Sequence, residues 1–169
     1  MPTNDLTDPE RAFLGCLLQL PATAARRVLA GMRADDLASA AAAPVLQLVI
    51  ELVAAGTDPA PVAVYAHAVA TGRAAGQARR EWLSGWIIDA YRDAPPPALT
   101  NHLKAVVLEA AWRRALFAHA RRIEQSLDTT DPAVLRELAD DGMAAAAELW
   151  SRYQSALHPQ PRPAREVPA

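Results

Sequence analysis

Apolar residues in this chain recur at spacings of three and four from one end to the other, and no segment alternates β-branched with polar residues. That period belongs to the α-helix rather than the strand, so the fold class expected is all-α. The breaks are legible as well. Asp8-Pro9-Glu10 places an acceptor, a residue needing no donor and a negative charge where a helix begins. The first helix is expected over Pro9 to Leu20 with Phe13, Leu14, Leu17 and Leu18 inward, and a second over Ala22 to Ala30, closed by Gly31. The third runs from about Ala43 to Ala55 and ends at Gly56, with Val45, Leu46, Val49, Ile50 and Val53 as the most apolar face. Pro61 opens a fourth that ends near Gly72, and a fifth spans Gln77 to Ala90.

Pro95-Pro96-Pro97 is the clearest break, because consecutive prolines cannot continue a helix. A helical head over residues 1–94 is expected before it, and a long antiparallel helical hairpin over residues 95–154 after it. The first arm runs from about Ala98 to Leu127, Asp128-Thr129-Thr130-Asp131-Pro132 turns the chain, and the second arm carries Leu135, Leu138, Leu149, Trp150 and Tyr153 on one face. Residues 97–125 hold five basic and two acidic side chains while 126–154 hold six acidic and two basic, so the arms are expected to attract. Exposed pairs contribute only ~0.2 to 1 kcal/mol each, which leaves apolar burial to dominate. Residues 155–169 form a Pro-rich tail expected to be disordered.

The order of three blocks carries a resemblance. Asp8-Pro9-Glu10-Arg11-Ala12-Phe13-Leu14-Gly15-Cys16-Leu17-Leu18 comes first. Asp35-Asp36-Leu37 through Val45 to Gly56 follows, then Asp58 and Pro61-Val62, and finally Val106-Val107-Leu108-Glu109 with Arg114. In this order and spacing the chain resembles the N-terminal domain of DnaB-type replicative DNA helicases over roughly residues 5–154. Ala63 stands where that family usually has threonine, and Leu108 where it usually has a basic residue. The resemblance implies a collar domain that pairs through its hairpin and receives primase, a helicase or a helicase loader.

The motor of such a helicase is not encoded in these residues. None of the seven glycines builds a G-x-x-x-x-G-K-[ST] phosphate loop, and the only lysine, Lys104, has no glycine near it. The chain is therefore expected to be no enzyme and to need no cofactor. His67, His102, His119 and His158 are scattered without the helical spacing of a metal site, so no metal is expected either. Asp35-Asp36 and Asp140-Asp141 are read as capping or solvated carboxylates.

Net charge of -2 over 169 residues argues against a surface given over to nucleic acid. The other 16 of the 17 basic residues are arginine, as in a GC-rich coding sequence. Arg113, Arg114, Arg121 and Arg122 form a stripe on the first arm, read as a solvated face opposite the acidic arm or, alternatively, as a strip for weak non-specific DNA binding or an acidic partner. Trp82 and Trp86, one turn apart, are read as core, with a docking patch as the alternative. Cys16, the single cysteine, is expected to be a buried thiol.

Leu103, Val107, Ala110 and Phe117, flanked by Trp112 and Trp150, are the expected surface for a homodimer or higher homo-oligomer, since a two-helix unit has two sides and its own partner arm covers one. No signal peptide or membrane span is apparent, and a cytoplasmic protein is expected. Three origins stay open: a standalone protein, a helicase fragment, or a mobile-element adaptor that recruits or blocks a host helicase. A DNA-binding regulator using the arginine stripe is the alternative function.

Overall fold

The computed structural model describes residues 8–128 and 130–158. Among these residues every regular element is helical: α1 Pro9–Leu17, α2 Ala22–Leu29, α3 Ala42–Ala54, α4 Pro61–Ala70, α5 Gln77–Arg92, α6 Thr100–Ser126 and α7 Pro132–Leu157. Short 3₁₀ turns lie at Ala34–Asp36 and Pro97–Leu99. The expected tail loses Ser155–Leu157 to α7, and its residues 159–169 lie outside the described residues.

The helix starts follow the local chemistry. The Asp8 carboxylate accepts from the amides of Glu10 and Arg11 at 3.1 and 3.0 Å, with Pro9 in the first turn. Asp131 accepts from Ala133 N–H at 2.8 Å ahead of α7. α1 stops three residues short of the expected Leu20, and the chain tightens there through bonds from Gln19 to Cys16 and Leu20 to Leu17. The cause is Pro21, which disfavours helical backbone in the residue before it. Asp58 sits three residues ahead of Pro61, yet α4 is preceded by Ala60, and the Asp58 carboxylate caps α2 instead, accepting from Ala22 N–H at 2.7 Å.

One core gathers Phe13, Leu14 and Leu17 of α1, Val45, Leu46 and Val49 of α3, Val64 of α4, Leu83 and Ile87 of α5, and Val107 and Leu108 of α6. The first half of α6 therefore closes the head core from beyond the three prolines. The prolines run alongside α1, where the buried Cys16 thiol donates to Pro95 O at 3.3 Å and burial pushes its pKa up. Gly15 lies so close to α5 that a Cβ there would meet Ala90 O and the Ala94 methyl, so α1 and α5 touch through bare backbone.

Trp82 departs from the expected core position. Leu83, Ile87 and Ala90 form the buried stripe of α5, and Trp82, 100° round the helix, is 38% exposed with the Arg79 guanidinium 4.4 Å above its ring. Trp86 packs half-buried at the core edge.

Glu51 joins α3 to α4 and the loop after it. Its carboxylate accepts from Arg73 at 2.9 and 2.7 Å, from Gln47 at 2.8 Å, and lies 2.8 Å from His67 Nε2. The Arg73 guanidinium, then Gln47 and His67, hold its pKa down at about 2 from an ordinary value of 4.5. A carboxylate depressed in the folded state stabilises the fold above its unfolded pKa, and that contribution is lost as pH falls from about 4.5 to about 2. Glu51→Gln is expected to flatten this limb of the melting temperature against pH while leaving the profile above pH 5 parallel to wild type, as calorimetry across that range will show.

Candidate functional site

α6 and α7 form an antiparallel pair. Trp112 meets Trp150 with ring centroids 4.8 Å apart, and nearer the turn His119 lies against Gly142, so rising numbers on one arm match falling numbers on the other. Gly142, Ala146 and the 5%-exposed His119 are buried where the helices approach most closely. Among the described residues no ion pair joins the two arms. Arg113 pairs with Glu109, Arg121 with Glu124 and Arg136 with Asp140, each within its own helix. The expected charge attraction is thus not made as direct contacts, because close packing of small residues fills the seam and leaves Glu137, Asp140 and Asp141 pointing outward.

One edge of the pair is tied to the head through a buried carboxylate. Asp36, 3% exposed, accepts from Arg33 N–H at 2.7 Å and from the Arg152 guanidinium of α7 at 2.8 Å. Arg152 also donates to Gly31 O at 2.8 Å. From α6, Arg114 donates to Asp36 O, and its guanidinium stands 3.6 Å from the Glu10 carboxylate, which accepts from the amides of Ala38 and Ser39. Lys104 reaches across to the end of α2 and donates to Val28 O and Ala30 O, both at 2.7 Å. Burial pushes the Lys104 pKa down, with Asp36 acting in the opposite direction.

These ties decide where the expected interface residues stand. Val107 is fully buried in the head core, and Leu103 and Ala110 are half-buried, with Leu103 packed against that core. The expected stripe is corrected accordingly: its N-terminal members are covered by the head, because α6 overlies α1 before it runs past it. Trp112, Phe117 and Trp150 remain at or near the surface. Phe117 is 70% exposed and Trp150 is 42% exposed, and the Trp150 ring also contacts Tyr153 at 5.3 Å.

The edge facing the head loop is an alanine-floored cleft lined by Ala111, Arg114, Ala115 and Ala118 of α6 with Ala145 and Leu149 of α7. Trp112 and Leu116 of α6 and Met143 and Trp150 of α7 stand on the other edge, as their helical spacing requires, whereas Phe117, about 100° round from Leu116, stands on the face of α6 turned away from α7. Met143, 57% exposed, was not among the expected residues. Its spacing of seven from Trp150 puts the two on one side of α7, which is the signal that identifies it.

The arginine stripe does not survive as a unit. Arg114 turns to the head, Arg113 and Arg121 are occupied by neighbouring carboxylates, and Arg122 alone stands exposed without an ion pair among the described residues. Among the same residues no three His, Cys, Asp or Glu side chains gather as a metal site needs, and no helix is long and apolar enough to cross a membrane.

The closeness of the arms at Gly142 is testable. A Cβ there would strike the His119 ring, so Gly142→Ala is expected to lose about 1–3 kcal/mol in urea unfolding, and adding His119→Ala should recover part of it. No protein-family model matches the chain, and no curated protein matches it in sequence.

Proposed function

We propose that this chain is an oligomerising protein-interaction module without catalytic activity of its own, in which the outward edge of the α6–α7 pair meets the same edge of a second copy. The observation that carries the reading is the exposure of Met143 and Trp150 on the edge of the pair that the head leaves uncovered, with Phe117 exposed on the face of α6 turned away from α7. Large apolar side chains grouped at a surface lose contact with water when a partner covers them, at roughly 25 cal/mol per Å². Trp112 and Trp150 already hold each other in a tilted stack, so little side-chain freedom is left to lose on binding.

The DnaB-like collar is the role that suits such a module, supported by the order of the Asp8 to Leu18, Asp35 to Gly56 and Val106 to Arg114 blocks and by an all-helical chain ending in two long paired helices. In that role the chain acts in the cytoplasm and receives primase, a replicative helicase or its loader. The alternative of a DNA-binding regulator is weakened by the inward turn of Arg114 and the pairing of Arg113 and Arg121.

Sedimentation equilibrium tests the pairing. Wild type is expected to be dimeric or larger at micromolar concentration, and Phe117→Asp with Met143→Asp to be monomeric with an unchanged circular dichroism spectrum, both positions being exposed. A monomeric wild type, or a double variant that associates as strongly as wild type, contradicts the proposal.

A further inference from the structure

A second concavity lies away from the outward edge, where α2, the start of α6 and the end of α7 meet. It is a cleft of about 580 Å³, within the range that holds small molecules. Its charged lining residues are Arg27 and Lys104, and no carboxylate lines it. Arg27 is exposed and makes no hydrogen bond or ion pair among the described residues, so its whole guanidinium fork is unspent. Asn101, also exposed, has a side-chain amide equally without a partner among them. Lys104 spends two of its three donors on Val28 O and Ala30 O and keeps one. The one buried carboxylate near Lys104, Asp36, is already occupied by Arg33 N–H and Arg152. Leu20, Val28 and Pro97 supply an apolar wall beside these donors.

We propose that this cleft is a binding site for a small organic phosphate, its phosphoryl oxygens taken by Arg27, Lys104 and Asn101 and its organic body laid against Leu20, Val28 and Pro97. A tetrahedral anion suits three donor groups that line one cleft from two elements: a bidentate fork from α2, and an ammonium and an amide from α6. The apolar wall gives an ester an advantage over the bare ion, because inorganic phosphate has nothing to place against it.

Phenyl phosphate is the probe, titrated into the ¹⁵N-labelled protein at constant ionic strength. The Arg27 Nε–H and the Asn101 side-chain amide are expected to shift and saturate together, at lower concentration than with inorganic phosphate. Arg27→Ala and Asn101→Ala change exposed residues and leave the Lys104 ties intact; Arg27→Ala is expected to weaken binding on the order of ten-fold and Asn101→Ala by less. The proposal is overturned if nothing saturates by concentrations on the order of 10 mM, or if neither variant changes the affinity. Benzoate binding as tightly as phenyl phosphate also overturns it, by assigning the cleft to carboxylates.

Discussion

Asp36 is the carboxylate on which the arrangement of this molecule depends. A charge that deeply buried is costly, and it is tolerated because Arg152 from the far end of the chain and the Arg33 amide meet it. The partners are specific in place as well as in charge. Arg152 sits four-fifths of the way along α7 and also holds Gly31 O, while Arg114 of α6 reaches the backbone of Asp36 itself. One short turn of chain thereby fixes both long helices. Deleting one partner of such a pair typically costs about 3–5 kcal/mol, a large share of the stability of a single domain.

Because that turn takes one edge of the α6–α7 pair, the other edge is left to face outward. The first half of α6 contributes Val107 and Leu108 to the head core, and the ties of Lys104 and Arg114 prevent it from rotating to present them elsewhere. What remains on that edge is the Trp112 and Trp150 stack with Met143, and Phe117 is exposed on the face of α6 turned away from α7. Polar anchoring on one edge and apolar exposure on the opposite edge are therefore two consequences of a single docking geometry. The cleft bearing Arg27 and Lys104 belongs to the same geometry, since it exists only where α2 is drawn against the start of α6 and the end of α7.

The elements were legible in the sequence wherever a residue acts on its own neighbours. Asp8-Pro9 and Asp131-Pro132 start helices by bonding amides two and three residues on, and Gly31 and Gly56 follow helix ends with φ of 75° and 81°. Positions decided by distant chain were not legible. The apolar spacing of Leu103, Val107 and Ala110 says that something covers this face, and either the head or a second copy satisfies it. Trp82 has the spacing of a core residue, but Leu83 and Ile87 claim the inward side of α5. Asp36, Arg114 and Arg152 read as ordinary surface charges because nothing local reveals that they meet across more than seventy residues. Gly142 and Gly85 both sit inside long helices, and only Gly142 lies at a close approach, because the His119 ring of α6 stands over it while nothing stands over Gly85.

The central claim is that head and hairpin form one cooperative unit joined through Asp36. Urea unfolding of a protein carrying Trp82→Phe and Trp86→Phe isolates it, because Trp112 and Trp150 fluorescence then reports the hairpin while far-ultraviolet circular dichroism reports every helix. The account predicts a single coincident transition for both probes, moved together to lower urea by Asp36→Asn. A fluorescence transition separate from the loss of helix, or one that Asp36→Asn leaves in place, would contradict it.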